Sequence, residues 1–272
     1  MHKKLVTIVI TTKNEERNIE NCLKSISAQT YKSIETIVVD NNSTDHTKKI
    51  ARRYTQYVFN RGPERSAQRN FGALKSNGEY ILFLDADMIL TDGVITACIE
   101  KMNTQIGGVI IPEISFGDGF WAQVKSLERS FYVGNDLIEA ARFFPKKVFE
   151  EIGGFDESIT GPEDWDFSQR VKEKYPLVRI SNFICHNEGK LQFVRSVSKK
   201  YYYAKKFASY IKKQSNSKFS HKQMSIFNRY LLFLSSPQKL FRNPVLGVGV
   251  IILKTSEFFA AGIGYVLGKV KS

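Results

Sequence analysis

Apolar and polar positions alternate between two periods along the first ninety residues. Leu5 to Thr11 and Ile34 to Val39 are short apolar runs bounded by polar residues, and each predicts a buried strand. Between them, Glu15 to Ala28 sets Ile19, Cys22, Leu23 and Ile26 at three- and four-residue intervals, the spacing of one face of an amphipathic helix. The alternation continues with a helix from Asp45 to about Tyr54, a short strand Tyr57 to Phe59, a helix Glu64 to Lys75 and a strand Tyr80 to Leu84. Strand and helix in repeated succession predict an α/β fold with right-handed crossovers onto a mostly parallel sheet. Ligands are then expected beyond the carboxyl ends of the strands.

Past Asp92 the pattern loosens. It predicts a helix Val94 to Met102, a strand Val109 to Ile111, a glycine-rich loop Phe116 to Gly119, a helix Ala122 to Tyr132, a strand Ala140 to Phe144 and a helix Glu163 to Lys174. No linker of low complexity and no repeat interrupts this stretch, so residues 1–190 are expected to form one continuous catalytic body. Residues 191–272 then form a helical extension: Phe193 to Lys213, which carries Tyr201-Tyr-Tyr203, then Lys222 to Leu234 and Val245 to Gly268.

Charge sharpens that division. The chain carries a net +13, yet residues 1–189 sum to −2 and residues 190–272 to +15, with Glu257 the one acid of the tail. Such a tail attracts a polyanionic surface. Its last segment holds two apolar blocks, Val245 to Leu253 and Phe258 to Leu267, separated by Lys254-Thr-Ser-Glu257. About twelve strongly apolar side chains favour insertion by roughly 6 kcal/mol, and a central Lys and Glu oppose it by about 5–7 kcal/mol. The balance predicts a segment lying at, or shallowly inserted into, the cytoplasmic face of an anionic membrane, with Lys254 and Glu257 paired or reaching headgroups. Long apolar runs have little use for nucleic acid, and none is expected as a partner. Three separated cysteines, Cys22, Cys98 and Cys185, read as buried thiols rather than a disulfide framework or a zinc site.

The clearest chemical signal is Leu84-Asp85-Ala86-Asp87. An apolar strand delivers two carboxylates, one residue apart, to its carboxyl end. In continuing extended backbone they would share a side, where a hard divalent cation relieves their repulsion and joins them to a substrate diphosphate. Arg65 and Arg69, at i and i+4 on the preceding helix, are candidates to face that diphosphate. A second constellation, Gly161-Pro-Glu-Asp-Trp-Asp-Phe-Ser-Gln-Arg170, opens a helix with three acids at its positive end.

These motifs together resemble family 2 glycosyltransferases of the GT-A fold. The segments are Thr11-Thr-Lys-Asn-Glu15, Val38-Val-Asp-Asn-Asn-Ser-Thr-Asp45, Ala67-Gln-Arg-Asn-Phe-Gly72, Gly78-Glu-Tyr-Ile-Leu-Phe-Leu-Asp-Ala-Asp87, Gly153-Gly-Phe-Asp156 and Glu163-Asp-Trp-Asp-Phe-Ser-Gln-Arg170, in that family's order and spacing over about residues 4–190. The resemblance implies that Thr11, Glu15 and Asp40 hold the nucleotide, with Arg69 and Asp85 on the donor's diphosphate and ribose side. It implies that Asp87 is the principal metal ligand, assisted by Asp85 and by His186, and that the metal is Mg²⁺ or Mn²⁺. Asp164 resembles the general base, and Glu163 a contact to acceptor hydroxyls. The implied donor is a nucleoside-diphosphate sugar, a UDP-sugar favoured and a GDP-sugar possible; the implied acceptor is a lipid-linked or other membrane-borne glycan.

Elementary chemistry agrees with those roles. Breaking a sugar–diphosphate bond needs the leaving group's charge stabilised, which a metal does as a Lewis acid. Inversion needs a hydroxyl to lose its proton as it attacks, and a carboxylate within hydrogen-bond reach can take it. The chain departs from many relatives in having Met88 where a third acid follows, and Gln192-Phe-Val-Arg-Ser196 lacks the tryptophan of processive relatives. One sugar per encounter is therefore expected. A sugar nucleotidyltransferase is disfavoured because Thr11 to Glu15 holds no glycine. A polyprenyl-phosphate glycosyltransferase is the alternative enzyme, and a membrane-surface or nucleic-acid-binding protein on a non-catalytic α/β domain is the alternative class.

Overall fold

The structure, a computed structural model, describes residues 3–213 and 225–270. In chain order the elements are β1 (Val6–Thr12), α1 (Ile19–Ser27), β2 (Ile34–Asp40), α2 (Thr47–Ala51), β3 (Val58–Asn60), α3 (Arg65–Lys75), β4 (Tyr80–Asp85), β5 (Met88–Leu90), α4 (Val94–Lys101), β6 (Gly108–Ile110), β7 (Glu113–Asp118) and α5 (Phe120–Ser130). They continue with β8 (Ala141–Pro145), α6 (Lys146–Ile152), α7 (Glu163–Lys172), β9 (Leu177–Arg179), β10 (Ile184–Lys190), α8 (Phe193–Lys213), α9 (Ile226–Leu234), α10 (Pro237–Phe241) and α11 (Pro244–Val270). The helix expected from Lys222 begins at Ile226, and residues 222–224 of that expectation lie outside the described residues.

Two compact units divide the chain, each assembled from several stretches of sequence. The first comprises residues 1–113, 140–158 and 163–186. Its seven-stranded sheet has the order β3-β2-β1-β4-β8-β6-β9, parallel from β3 to β4, with β8 antiparallel to both neighbours. Alternate side chains of the central strands bury on both faces: Ile8, Ile10, Leu82 and Leu84 join one core, Val9, Val39, Ile81 and Phe83 the other. A sheet covered on both faces needs apolar residues at successive positions, which is why these strands read as runs. Phe83, Phe149, Phe155 and Phe167 interlock beneath one face with ring centroids 4.9–5.6 Å apart. Helix α3 lies close on the sheet because Gly72 leaves room; a Cβ there would stand 2.3 Å from Val9 Cγ1. In the same unit, β5 pairs antiparallel with the start of β10, setting His186 opposite Met88.

The second unit comprises residues 114–139, 159–162 and 187–272. Helix α5 belongs here because its buried side chains Val124, Lys125 and Glu128 pack with the C-terminal helices, where Phe233, Leu240, Val250 and Leu253 complete the core. Four charges are buried at that seam. Lys125 Nζ lies 2.6 Å from Glu128 and 3.3 Å from Glu257, while Lys254 Nζ lies 2.6 Å from Glu128 and 3.0 Å from Glu257. Lys254 and Glu257 do pair, as their spacing predicts, but they turn into the protein rather than toward headgroups. Two acids on α5 and α11 and two lysines close a neutral ring, which satisfies each charge better than a two-membered pair at an interface.

Candidate functional site

The carboxyl ends of the central strands gather the candidate residues. Parallel register sets Thr11 beside Asp85 and Thr12 beside Asp40, so the polar endings of β1, β2 and β4 form one row. Thr11 Oγ1 donates to Asp85 Oδ1 at 2.7 Å. Above that row stands α3, and each residue of Gln68 to Gly72 has an assignable contact. Gln68 Nε2 donates to the carbonyls of Thr12 and Val39 at 3.0 and 2.6 Å, tying the helix to the ends of two strands. Asn70 exchanges two hydrogen bonds with the backbone of Phe155, each 2.9 Å. That contact holds the Phe155 ring under the Arg69 guanidinium, 5.2 Å from centroid to Cζ.

Arg69 is wholly buried and links three carboxylates. Its Nη1 lies 2.5 Å from Asp164 Oδ1 and 3.8 Å from Glu163 Oε1, and its Nη2 lies 3.1 Å from Asp85 Oδ1. Arg65, one turn earlier, reaches Glu163 at 3.1 Å and Asp85 at 3.5 Å. Burial opposes the charge on Asp85, but Arg69, Arg65 and Arg142, with the Thr11 hydroxyl, outweigh it and hold this carboxyl well below the ordinary carboxylate range.

Helix α7 presents Glu163 and Asp164 from its first turn, where the helix dipole favours acids. Its placement is fixed at three points. Phe167 packs in the aromatic core, Ser168 Oγ accepts from the Ala141 N–H at 3.0 Å, and Arg170 donates to the carbonyls of Ile152 and Gly154 at 3.0 and 2.7 Å. Gly153 and Gly154 both adopt positive φ, +87° and +68°, a conformation that costs little only for glycine.

The two aspartates at the end of β4 diverge. The strand stops at Asp85 and a turn over Ala86 and Asp87 leads into β5, so the extended continuation expected for this pair is replaced by a turn. Met88, in the place of a third acid, is buried in the core. Asp85 faces the arginines, whereas Asp87 Oδ2 lies 3.1 Å from His186 Nε2. The other oxygen, Asp87 Oδ1, is buried without a hydrogen-bond partner. Of the three expected ligands, Asp85 pairs with guanidinium groups in this structure, while Asp87 and His186 stand together. Among the described residues, no group of three or more His, Cys, Asp or Glu side chains has the geometry to hold a metal.

Glu15 and Asp40 stand at the edge of this cluster. Burial pushes the Glu15 carboxyl up; the Asn18 amide opposes that, and the nearby charges of Asp87 and Asp85 reinforce it. Asp40 is fully buried, and both its oxygens accept from Ser43, from the N–H and from the hydroxyl, so it fixes the loop after β2.

Two site residues escape the motif reading. Arg142, on β8, donates from Nε to Glu113 Oε1 at 2.6 Å, and its Nη2 lies 3.8 Å from Asp164 Oδ2. Burial works against its charge, and Glu113, Asp164 and Asp85 more than restore it. The other oxygen of Glu113 lies 3.8 Å from His186 Nδ1. A guanidinium in the otherwise apolar run Ala141–Pro145 is the signal that could have flagged Arg142.

A family model described as Glycosyl transferase family 2 matches residues 7–155. Glycosyltransferase AglE of Haloferax volcanii is 38% identical over 204 residues, 66% of this chain and 66% of AglE. The GalNAc(5)-diNAcBac-PP-undecaprenol beta-1,3-glucosyltransferase of Campylobacter jejuni is 29% identical over 108 residues, 36% of this chain and 34% of that enzyme. The chain thus spans just under two thirds of the first relative and about a third of the second. Among solved structures, the mannosyltransferase PcManGT from Pyrobaculum calidifontis, in complex with GDP-Man and Mn²⁺, superposes with a TM-score of 0.66 at 16% identity, covering 98% of this chain and 88% of that one. That likeness bears on the fold, which is GT-A.

Proposed function

The chain belongs to glycosyltransferase family 2, and on that premise we propose that it transfers one sugar, with inversion, from a nucleoside-diphosphate sugar to a hydroxyl of a lipid-linked or other membrane-borne glycan. The observation that carries this reading is the meeting of Asp85, from the strand-end motif, and Asp164, from the helix-start motif, on the single guanidinium of Arg69. Donor and acceptor chemistry need charges of both signs within one reach, and this grouping supplies them.

In this reading Thr11, Glu15 and Asp40 line the nucleotide end, with Arg65, Arg69 and Asp85 beside the diphosphate. Arg65 and Arg69 exchange their carboxylate partners for phosphate oxygens, a planar bidentate match. Asp164, released from Arg69, accepts the proton of the attacking hydroxyl, and Glu163 orients the acceptor through its remaining hydroxyls. The relative from Campylobacter, named for a substrate carried on undecaprenol diphosphate, supports a lipid-linked acceptor.

The residues present fit a divalent cation in part. The unpartnered buried oxygen of Asp87, with His186 at its other oxygen, leaves a place for a hard ion. Mg²⁺ and Mn²⁺ sites commonly use one or two protein carboxylates and complete their shell with phosphate oxygens and water. Asp87 and His186 would hold the ion, and Lewis-acid stabilisation of the departing diphosphate is the chemistry it would supply.

The second unit supports docking on a membrane surface, which in this reading is the cytoplasmic face. Residues 244–268 form a helix long and apolar enough to cross a bilayer, with a mean hydropathy of 1.6. Its amphipathicity is inverted: Lys254 and Glu257 are buried, whereas Val245, Val248, Ile252, Phe259, Ile263 and Val266 are exposed along one stripe. A helix that hides its charges and shows its apolar side chains matches a lipid surface better than water.

The test is a screen of UDP-, GDP- and dTDP-sugars for release of nucleoside diphosphate, with Mg²⁺ or Mn²⁺ and with chelator. Release from one donor, increased by glycan acceptors, is expected. No release from any donor sinks the reading, and a product in which the sugar joins a polyprenyl monophosphate directly replaces the hydroxyl acceptor with the phosphate one.

A further inference from the structure

The site holds one cationic donor that neither the motifs nor the proton transfer employs. Arg142 is 8% exposed, and its Nη1 is buried without a hydrogen-bond partner, although its Nε is bound to Glu113 and its Nη2 faces Asp164. A buried guanidinium N–H left without an acceptor is costly, so its missing oxygen is supplied by a bound ligand or by water that a ligand can displace. Nη1 shares its carbon with Nη2, the nitrogen that lies 3.8 Å from Asp164 Oδ2, so the unpartnered donor and the carboxylate belong to one cluster. A donor beside an acceptor is the complement of two adjacent oxygens, one of which gives a proton and one of which receives a hydrogen bond.

Resting on the transferase reading above, we propose that Arg142 is an acceptor-specificity residue: its Nη1 donates to the hydroxyl adjacent to the one attacked, so that Arg142 and Asp164 together select a sugar with a vicinal diol. Glu113 is its positioning residue. The 2.6 Å bond from Nε fixes the plane of the guanidinium, and a planar fork in a fixed plane distinguishes neighbouring oxygens in a way a flexible ammonium does not. The link from Glu113 toward His186 places the same carboxylate between the acceptor side and Asp87.

The experiment uses the full chain, the donor found by nucleoside-diphosphate release, and octyl glycosides of glucose, galactose, mannose and N-acetylglucosamine as acceptor probes. Each accepted glycoside is compared with its monodeoxy counterpart lacking the hydroxyl next to the site of transfer. In the wild type that deletion lowers kcat/KM by about tenfold or more, because it leaves a buried donor unpaired. In Arg142→Gln the acceptor KM rises about tenfold and the deoxy penalty shrinks below about threefold, while the donor KM changes less than about twofold. Arg142→Lys keeps part of the penalty, and Glu113→Gln raises the acceptor KM in the same sense by a smaller factor. Should Arg142→Gln not fold, the wild-type deoxy comparison and Arg142→Lys still decide. An undiminished penalty in the variants overturns the proposal, as does a wild type indifferent to the deleted hydroxyl or to every glycoside. A wild type that releases no nucleoside diphosphate from any donor fails at the earlier step and marks the loss of the transferase reading itself.

Discussion

Asp164 meets Arg69 at 2.5 Å while the second terminal nitrogen of the same guanidinium holds Asp85 at 3.1 Å. A single buried cation thus ties the end of β4 to the start of α7, ninety-five positions from Arg69 to Asp164. Removing it leaves Asp85, Glu163 and Asp164 close together with Arg65 and Arg142 as the remaining cations. Arg69→Met is expected to destabilise the protein by about 3–5 kcal/mol, the scale for stripping one partner from a buried ion pair. Urea unfolding measures it, and a loss under about 1 kcal/mol would show the network to be no stronger than a surface bridge.

Asp164→Asn separates structure from chemistry. The amide oxygen can still accept from Arg69, so the fold and the binding of nucleoside diphosphate are expected to persist. An amide cannot take up the proton of the attacking hydroxyl, and the transfer rate is expected to fall about 10²-fold or more. Calorimetric nucleotide binding beside steady-state turnover checks both halves. An unchanged turnover number removes Asp164 from the chemistry.

For the metal, the divergence of the two aspartates gives them different weights. Asp87→Ala is expected to abolish transfer and the binding of Mn²⁺ measured in the presence of nucleoside diphosphate. His186→Ala is expected to weaken Mn²⁺ binding by about 10-fold or more, since even losing a group that only orients a ligand costs about 10- to 100-fold. Asp85→Ala is expected to weaken it less, because its oxygens serve Thr11 and the arginines. Full transfer in excess chelator would remove the metal from the reaction.

The sheet was legible because the central strands are buried on both faces and so spell out uninterrupted apolar runs, and the helices between them carry a single apolar stripe. The order β3-β2-β1-β4 follows from successive crossovers, but the antiparallel insertion of β8 left no mark in periodicity. Of the site, the residues on strand ends and helix starts were readable as motifs. The strand-end position of Asp85 is plain in the sequence, whereas its pairing with Arg65 and Arg69 cannot be placed from spacing alone, because it depends on α3 packing back on the sheet. Arg142 and Glu113 belong to no motif, since one sits in an apolar strand and the other follows a proline, and only tertiary contact gives them a role. The seam charges of α5 and α11 were hidden for a similar reason: a partner 126 positions away is invisible to a helical window.

That seam makes a separate prediction. Glu128→Gln leaves two buried lysines sharing Glu257, and is expected to cost about 3 kcal/mol or more. Replacing Lys254 by Met and Glu257 by Leu together removes one charge of each sign and is expected to cost less than either single replacement, since the residual Lys125–Glu128 pair stays neutral. Thermal unfolding of the two singles and the double closes the cycle. A double variant as unstable as the sum of the singles would show that the four charges act independently.

Membrane docking must be tested without deleting α11, because loss of that helix also strips Lys125 and Glu128 of Lys254 and Glu257 and would aggregate the protein for an unrelated reason. The exposed stripe offers a cleaner handle. Ile252, Phe259 and Ile263 are 48%, 73% and 43% exposed, so glutamates there disturb little packing while placing carboxylates where acyl chains would lie. The basic tail, +15 over residues 190–272, supplies long-range attraction worth up to about 1 kcal/mol for each basic residue near an anionic surface. The apolar stripe adds a short-range contribution of about 0.8 kcal/mol per buried CH₂. The full chain is therefore expected to sediment with vesicles containing anionic lipid and to release partly as salt is raised. The triple variant Ile252→Glu, Phe259→Glu, Ile263→Glu is expected to remain in the supernatant with its unfolding temperature unchanged. Cosedimentation that survives all three glutamates would assign the attraction to charge alone. A variant that unfolds would show the stripe to be packing surface within the protein rather than a face for lipid.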